Sequence, residues 1–305
     1  MSKEYDIKNQ SNITLKGILW EKEDVLKKAV IIICHGMAEH INRYDDFANF
    51  LSDNGYIVIG YDQRGHGKTV IQPDDIGYMS DKDNFDAMLE DLNLVVTEVK
   101  NLYTLPIFII GHSMGSFISQ RYAQKYGSSV DGIIFSGTSL NKGLMINVGH
   151  ILSKMIVKLK GRKYRSNLLH KLSFESFNKK FKKDNNTPVD WLSRDEEVCK
   201  QYIEDDMCGA IFTASYYMDL ISGFKAIHKN INRTFPALKI LIISGTEDPV
   251  GNYGKGPTNY YKKLKKIGLE DIEMNLYAQA RHEILNEINK EEVYNDILSW
   301  LNRKV

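Results

Sequence analysis

The amino-acid sequence predicts an α/β chain: a mostly parallel central sheet with helices on both faces and an inserted helical cap. Three observations carry this expectation. Apolar strand-like runs and helical periodicities alternate at short spacing from Ala29 to Ser136, the pattern of a parallel sheet whose crossovers cover both of its faces. The alternation stops at Gly137 and resumes at Leu238, with only helical patterns and loops between. Gly111-His112-Ser113-Met114-Gly115 stands where a strand-like run meets a helix-like one. The expected division is a core of residues 1–140 and 231–305 and a cap of residues 141–230.

Taken in order, residues 5–20 alternate apolar and polar around Asn9-Gln10-Ser11-Asn12, which predicts a hairpin with Ile13, Leu15 and Ile18 facing inward. Ala29 to Cys34 is continuously apolar, as befits a strand buried on both faces. Tyr44 to Asn54 has helical spacing through Phe47, Phe50 and Leu51, and Gly55 stops it. Tyr56 to Tyr61 is the next strand. The Asp62-Gln63-Arg64-Gly65-His66-Gly67 piece after it lacks the third glycine of a dinucleotide fingerprint, because Val70 stands there. Asp62 and Arg64 are therefore read as ties of a tight turn. Asp86 to Tyr103 is helical, with Met88, Leu92, Val95, Val96 and Val99 on one side. Ile107 to Ile110 is the strand that runs into Ser113, a helix follows to about Tyr126, and Val130 to Ser136 is a further strand. Within the cap, Leu144, Val148, Ile151, Leu152, Met155, Ile156 and Leu159 recur at helical spacing beside Lys154, Lys158, Lys160, Arg162, Lys163 and Arg165. Such a basic amphipathic helix either packs on the domain beneath it, the reading preferred here, or makes transient contact with lipid interfaces. Leu238 to Ser244, a helix over Tyr260 to Ile267, the strand Ile272 to Tyr277 and a closing helix over Glu291 to Leu301 complete the core. Gly254-Lys255-Gly256 lacks phosphate-loop spacing, and Pro257 removes an N–H donor.

Composition excludes several function classes. A formal charge of +1 gives no general attraction to nucleic acid. The acidic start Met-Ser-Lys-Glu-Tyr-Asp lacks the apolar core of a signal peptide, and no apolar run reaches the roughly 18 residues of a spanning helix, so a cytoplasmic address is expected. Cys34, Cys199 and Cys208 form neither a Cys-x-x-Cys pair nor a Cys/His metal spacing and read as reduced, packed thiols; Cys34 ends an apolar strand, where a cysteine behaves as a small hydrophobe rather than a nucleophile. No metal site and no organic cofactor is implied, and the oligomeric state is left open.

The chemistry is legible at Ser113. A chain that turns from strand to helix within about two residues leaves no room for side chains two positions either side, hence glycines at 111 and 115, and it lifts the serine hydroxyl above the sheet. A hydroxyl needs a base to take its proton and the base needs an orienting acid. Of eight histidines, His35, His40, His66 and His112 precede any candidate acid and His150, His170 and His228 fall in the cap. His282 follows the last strand, at the carboxyl edge where Ser113 also lies. Glu247 and Asp248 follow the preceding strand and compete for the role of acid. The order Ser, acid, His is that of one class of serine hydrolases. The oxyanion donors expected are the N–H of Met114, after the nucleophile, and that of Met37, after the first central strand.

His35-Gly36-Met37-Ala38-Glu39-His40 with Arg43-Tyr44, Asp62 to Gly67, Gly-His-Ser-Met-Gly, Asp248-Pro249-Val250-Gly251 and Arg281-His282-Glu283 together resemble the monoacylglycerol lipase and lysophospholipase branch of the α/β-hydrolase superfamily. The resemblance covers the whole core, and Asp190-Trp191-Leu192-Ser193-Arg194-Asp195 is similar to cap patterns of its bacterial-type members. It implies Asp248, beside Pro249, as the acid, and a small-molecule acyl ester as substrate, its head group near Glu39, His40 and Arg43 and its acyl chain under the cap. Ser116 departs from relatives that often carry glycine there. The implied activity is carboxylic ester hydrolysis through an acyl-enzyme on Ser113. The same triad would serve a prolyl-type aminopeptidase, given an acidic anchor such as Glu204, Asp205 or Asp206 for the substrate amine, or an acyltransferase. A non-catalytic hydrolase-fold binding protein need not keep a complete triad.

Overall fold

The computed structural model describes residues 2–9, 12–80, 85–140, 144–181 and 187–305, and the side chains of all but 144 and 145 among them. Gln10 and Ser11 of the expected hairpin turn, Asn141 at the expected start of the cap and the Leu144 side chain lie outside the described residues. Eight strands form one sheet in the order β1-β2-β4-β3-β5-β6-β7-β8. They are β1 Ser2–Lys8, β2 Thr14–Trp20, β3 Ala29–Cys34, β4 Tyr56–Tyr61, β5 Ile107–His112, β6 Gly132–Ser136, β7 Lys239–Gly245 and β8 Ile272–Tyr277. β1 and β2 pair antiparallel at one edge; β3 to β8 run parallel. This is an α/β-hydrolase fold.

The apolar runs become strands because both sheet faces are buried. Alternate residues of β3 divide between two layers: Val30, Ile32 and Cys34 join one core, Ala29, Ile31 and Ile33 the other. The helices α1 Asp45–Asp53 and α9 Lys290–Lys304 cover the second layer through Phe47, Leu51, Val293, Ile297 and Trp300. The first layer is covered by α2 Phe85–Leu102, α3 Met114–Lys125 and α8 Lys255–Lys266. In the hairpin, Leu15 joins the first layer and Ile13 packs against it, but Ile18 packs against the second. The side chain three residues along a strand points to the opposite face, and because both faces of this sheet carry a core, Ile18 also faces inward, onto the other layer. The helix expected from Tyr260 begins five residues earlier, because Pro257 sits in its first turn, where an N–H has no partner to lose.

Between β6 and β7 the chain is helical, with α4 Leu144–Lys160, α5 Asn167–His170 continuing as a π-turn over Lys171–Glu175, α6 Glu196–Glu204 and α7 Ala214–Asn230. α7 rests on α2 and α3, and its Ala214, Tyr216, Tyr217, Leu220 and Ile227 belong to the first core layer. α4 lies on α7 through Leu152, Ile156 and Val157, which are partly buried against the core. Four further apolar residues face outward: Val148, Ile151, Met155 and Leu159 are 51–75% exposed and lie one helical turn apart, with Lys154, Lys158 and Lys160 beside them. One helix thus has two apolar stripes, and only one has a partner within the described residues.

Candidate active site

The sheet order changes direction at β3, whose successor β4 lies on one side and β5 on the other. The loops that follow β3 and β5 therefore meet above the sheet, the place where such folds open a crevice. Ser113 stands between β5 and α3 with φ 50° and ψ −116°, a left-handed conformation rare for a residue with a side chain and worth about 1–3 kcal/mol of strain. The surroundings hold it there: its N–H donates to Ser136 O at 2.9 Å and its carbonyl accepts from Ser116 and Phe117 N–H. A Cβ on Gly115 would lie 1.9 Å from Cys34 O, and one on Gly111 2.4 Å from Ser119 Oγ, so neither position admits a side chain. The close approach at Gly115 also seats the loop after β3 against the elbow.

Asp248 follows β7 and His282 follows β8. His282 Nδ1 lies 2.9 Å from Asp248 Oδ1, both side chains at most 2% exposed. The second carboxylate oxygen of Asp248 lies 3.3 Å from Ser244 Oγ, and Oδ1 also accepts the Val250 N–H at 2.8 Å. Burial resists ionisation of Asp248, but His282 and the Val250 and Gly251 N–H groups outweigh it and hold the carboxyl below its usual range. Burial likewise opposes charge on His282, yet Asp248, with Glu283 and Glu39 behind it, leaves the imidazole easier to protonate than an ordinary histidine. Three nearby histidines are held neutral by burial: His35 and His66 are pushed down to about 3 and His112, also facing His282, to about 4. Glu247, the competing acid, is paired with Lys180 instead. Among the described residues, neither the Met37 nor the Met114 N–H has an acceptor, and Met114 opens the first turn of α3, where no helical carbonyl can reach it.

Glu39, His40 and Arg43 lie beside this cluster with their polar groups engaged. Glu39 Oε1 accepts from the Gly36 N–H at 2.5 Å and from Tyr44 Oη at 3.0 Å. Arg43 makes a bidentate pair with Glu283 at 2.6 and 2.7 Å and reaches Glu39 at 3.2 Å. His40 Nε2 lies 2.7 Å from Asp205. Asp62 accepts from the Ile41 and Lys68 N–H groups and Arg64 pairs with Asp91 at 2.7 Å, the turn ties their positions predict.

The contacts of three side chains, Trp191, Arg281 and Glu283, were not foreseen. The Trp191 ring lies 5.0 Å from the His282 ring, and the carbonyls of Trp191 and Leu192 accept the N–H groups of His282 and Glu283. Arg281 Nη1 donates to Asp190 O and Ser193 O at 2.5 and 3.0 Å, so residues 190–193 clamp the loop that carries the imidazole. The motif around Trp191 was visible in the sequence, but a contact across 91 residues has no local signal. Glu283 was part of a quoted motif, and its pairing with Arg43 spans 240 residues.

A family model described as "Serine aminopeptidase, S33" matches residues 26–289. Among curated proteins the chain is similar to a monoacylglycerol lipase of Mycolicibacterium smegmatis, 23% identical over 293 residues that cover 91% of this chain and 89% of that one. It is also similar to a monoglyceride lipase of Mus musculus, 25% identical over 281 residues, 91% of this chain and 84% of that one. Among solved structures, a thermostable carboxyl esterase of Bacillus coagulans in complex with glycerol superposes with a TM-score of 0.90 at 24% identity, covering 99% and 98% of the two chains. A soluble variant of the Saccharomyces cerevisiae monoglyceride lipase in complex with a substrate analog gives 0.77 at 20% identity, covering 99% and 95%.

Proposed function

The chain belongs to the family described as serine aminopeptidase S33, and from that premise we propose that it is a carboxylic ester hydrolase that forms an acyl-enzyme on Ser113 and takes monoacylglycerol or lysophospholipid substrates. The observation that carries this reading is the buried 2.9 Å contact of His282 with Asp248, at the sheet edge above which the strained turn lifts Ser113. Ser113 Oγ attacks the ester carbonyl and passes its proton to His282 Nε2, while Asp248 holds Nδ1–H and stabilises the imidazolium. The carbonyl oxygen becomes an oxyanion between the Met37 and Met114 N–H groups; loss of one such donor lowers turnover about 10²–10³-fold. The alcohol leaves with the proton from His282, and water, deprotonated by His282, releases the acid and restores the serine.

Glu39 and Arg43 serve this site as its frame rather than as ligands of the head group, because their charges are already spent on Gly36, Tyr44 and Glu283. Residues 141–230 act as the cap, and the exposed stripe Val148, Ile151, Met155 and Leu159 with its flanking lysines suits the surface of a lipid aggregate, from which such substrates are drawn. Aminopeptidase activity, which the family description names, would need a free acidic anchor; of the candidates, Asp205 is engaged by His40 and Met207 N–H, while Glu204 and Asp206 face outward.

A panel of p-nitrophenyl esters from acetate to palmitate, 1-monoacylglycerol, lysophosphatidylcholine and aminoacyl anilides tests the reading. Turnover of the monoacyl lipids, with an optimum at medium or long chains, is expected. Turnover of anilides alone would overturn it in favour of the peptidase.

A further inference from the structure

A second cluster of chemically capable side chains joins the loop after β3 to the segment between α6 and α7. A ring nitrogen of His40, a carboxylate oxygen of Asp205 and Cys208 Sγ all lie within 4.8 Å of one another. His40 and Cys208 are at least nine-tenths buried, and His40 Nδ1 is buried without a partner among the described residues. We propose that these three side chains form a binding site for a borderline-soft divalent cation of the zinc type, with an open fourth position, which ties the loop carrying Met37 to the helical segment above it. The proposal does not depend on which substrate Ser113 takes.

The donor set favours such an ion over magnesium or calcium, which want oxygen ligands alone. Zinc bonds of about 2.0–2.3 Å in tetrahedral geometry set donors about 3.3–3.8 Å apart, so small adjustments suffice: His40 Nε2 and Asp205, hydrogen-bonded at 2.7 Å, must part slightly to admit the ion, and a pair near the 4.8 Å limit must draw together by about 1 Å. Two hydrogen bonds already tie the two segments together: the Tyr202 hydroxyl and the Gly209 N–H both donate to Ala38 O, at 2.9 and 3.0 Å. On binding, the ion takes the Sγ lone pair and the thiol proton leaves to solvent, while imidazole and carboxylate donate without change of oxidation state. The spacing rules that find metal sites in sequence miss it because His40 and Asp205 are 165 residues apart.

Titration of untagged, metal-free protein with Co²⁺ is the test. One ion per chain is expected, with visible bands of four-coordinate cobalt and a near-ultraviolet thiolate-to-cobalt band, both displaced by Zn²⁺. Cys208→Ser should lose the near-ultraviolet band, and Asp205→Asn should keep it while weakening Zn²⁺ affinity at least about tenfold. Zn²⁺ should raise the melting temperature of the wild type and of neither variant to the same extent. No cobalt spectrum in the wild type, or the same spectrum in folded Cys208→Ser, would overturn the site.

Discussion

Replacing Arg43 by methionine removes the guanidinium while keeping much of the side chain's volume. It leaves Glu283 and Glu39, whose side chains are 5% and 4% exposed, without their shared cation. Two hydrogen bonds to Glu283 at 2.6 and 2.7 Å and one to Glu39 at 3.2 Å disappear, and only the neutral donors Tyr44, Gly36 and Asn286 remain. Breaking a buried pair from one side costs about 3–5 kcal/mol, because a desolvated charge is left behind. The pH dependence has a defined sign. In the wild type, burial raises the Glu283 pKa but Arg43 outweighs it and depresses it, so its stabilisation is present above the unfolded carboxylate range and is lost as pH falls through the depressed value. Without Arg43 the burial effect wins and the folded pKa rises above the unfolded one, so the deficit of Arg43→Met should be largest near pH 7 and shrink toward pH 5. Urea unfolding at the two pH values measures this, and Arg43→Met/Glu283→Gln should recover a large part of the loss. In kinetics, a frame residue lowers kcat by the same factor on p-nitrophenyl acetate and on monoacylglycerol, since the loop carrying Met37 shifts for both. A loss under about 1 kcal/mol, or a double variant no more stable than the single one, would refute the framing role. So would a KM increase confined to the glycerol ester.

Asp248→Asn should fold and bind substrate while losing roughly 10⁴-fold in kcat, the effect expected when the imidazole loses its orienting carboxylate. Because Asp248 keeps His282 easier to protonate and the base must be neutral to act, the acidic limb of the wild-type kcat/KM profile should lie above the ordinary histidine value of 6.5; in Asp248→Asn the residual activity should have its limb moved to lower pH. Gly115→Ala should yield no soluble folded protein or a displaced elbow without activity, as a Cβ there meets Cys34 O at 1.9 Å; wild-type turnover by this variant would contradict the elbow geometry. Ile151→Asp/Met155→Asp on the exposed stripe of α4 should leave p-nitrophenyl acetate hydrolysis unchanged and reduce sedimentation with phospholipid vesicles; equal sedimentation of both proteins would remove the lipid-surface role.

Much of the fold was legible because burial on both sheet faces demands uninterrupted apolar runs. β3 and β4 coincide with the runs Ala29–Cys34 and Tyr56–Tyr61, and β8, at the sheet edge, with the alternating stretch Ile272–Tyr277. Ser113 and His282 were nameable as candidates because each sits just past a strand, and parallel strands bring such positions to one edge; Glu247 and Asp248 both met that condition, and the resemblance to the lipase branch chose between them. What stayed hidden depends on packing between distant segments. Nothing local to Trp191 marks it as the neighbour of His282, nothing local to Arg43 marks Glu283 as its partner, and His40, Asp205 and Cys208 meet only after residues 202–209 fold over the loop after β3. The outward stripe of α4 was hidden for another reason: helical periodicity reports an apolar face but not how much of it finds a partner.

The central claim is that Ser113 is the nucleophile, and its most direct test is covalent labelling. A fluorophosphonate probe added to the wild-type protein should react at one site, with the adduct mapped by mass spectrometry to the peptide containing Ser113. Labelling and ester hydrolysis should both vanish in Ser113→Ala while its circular dichroism and melting temperature stay those of a folded protein. An adduct on any other residue, or a folded Ser113→Ala protein that still labels and hydrolyses esters, would contradict the account.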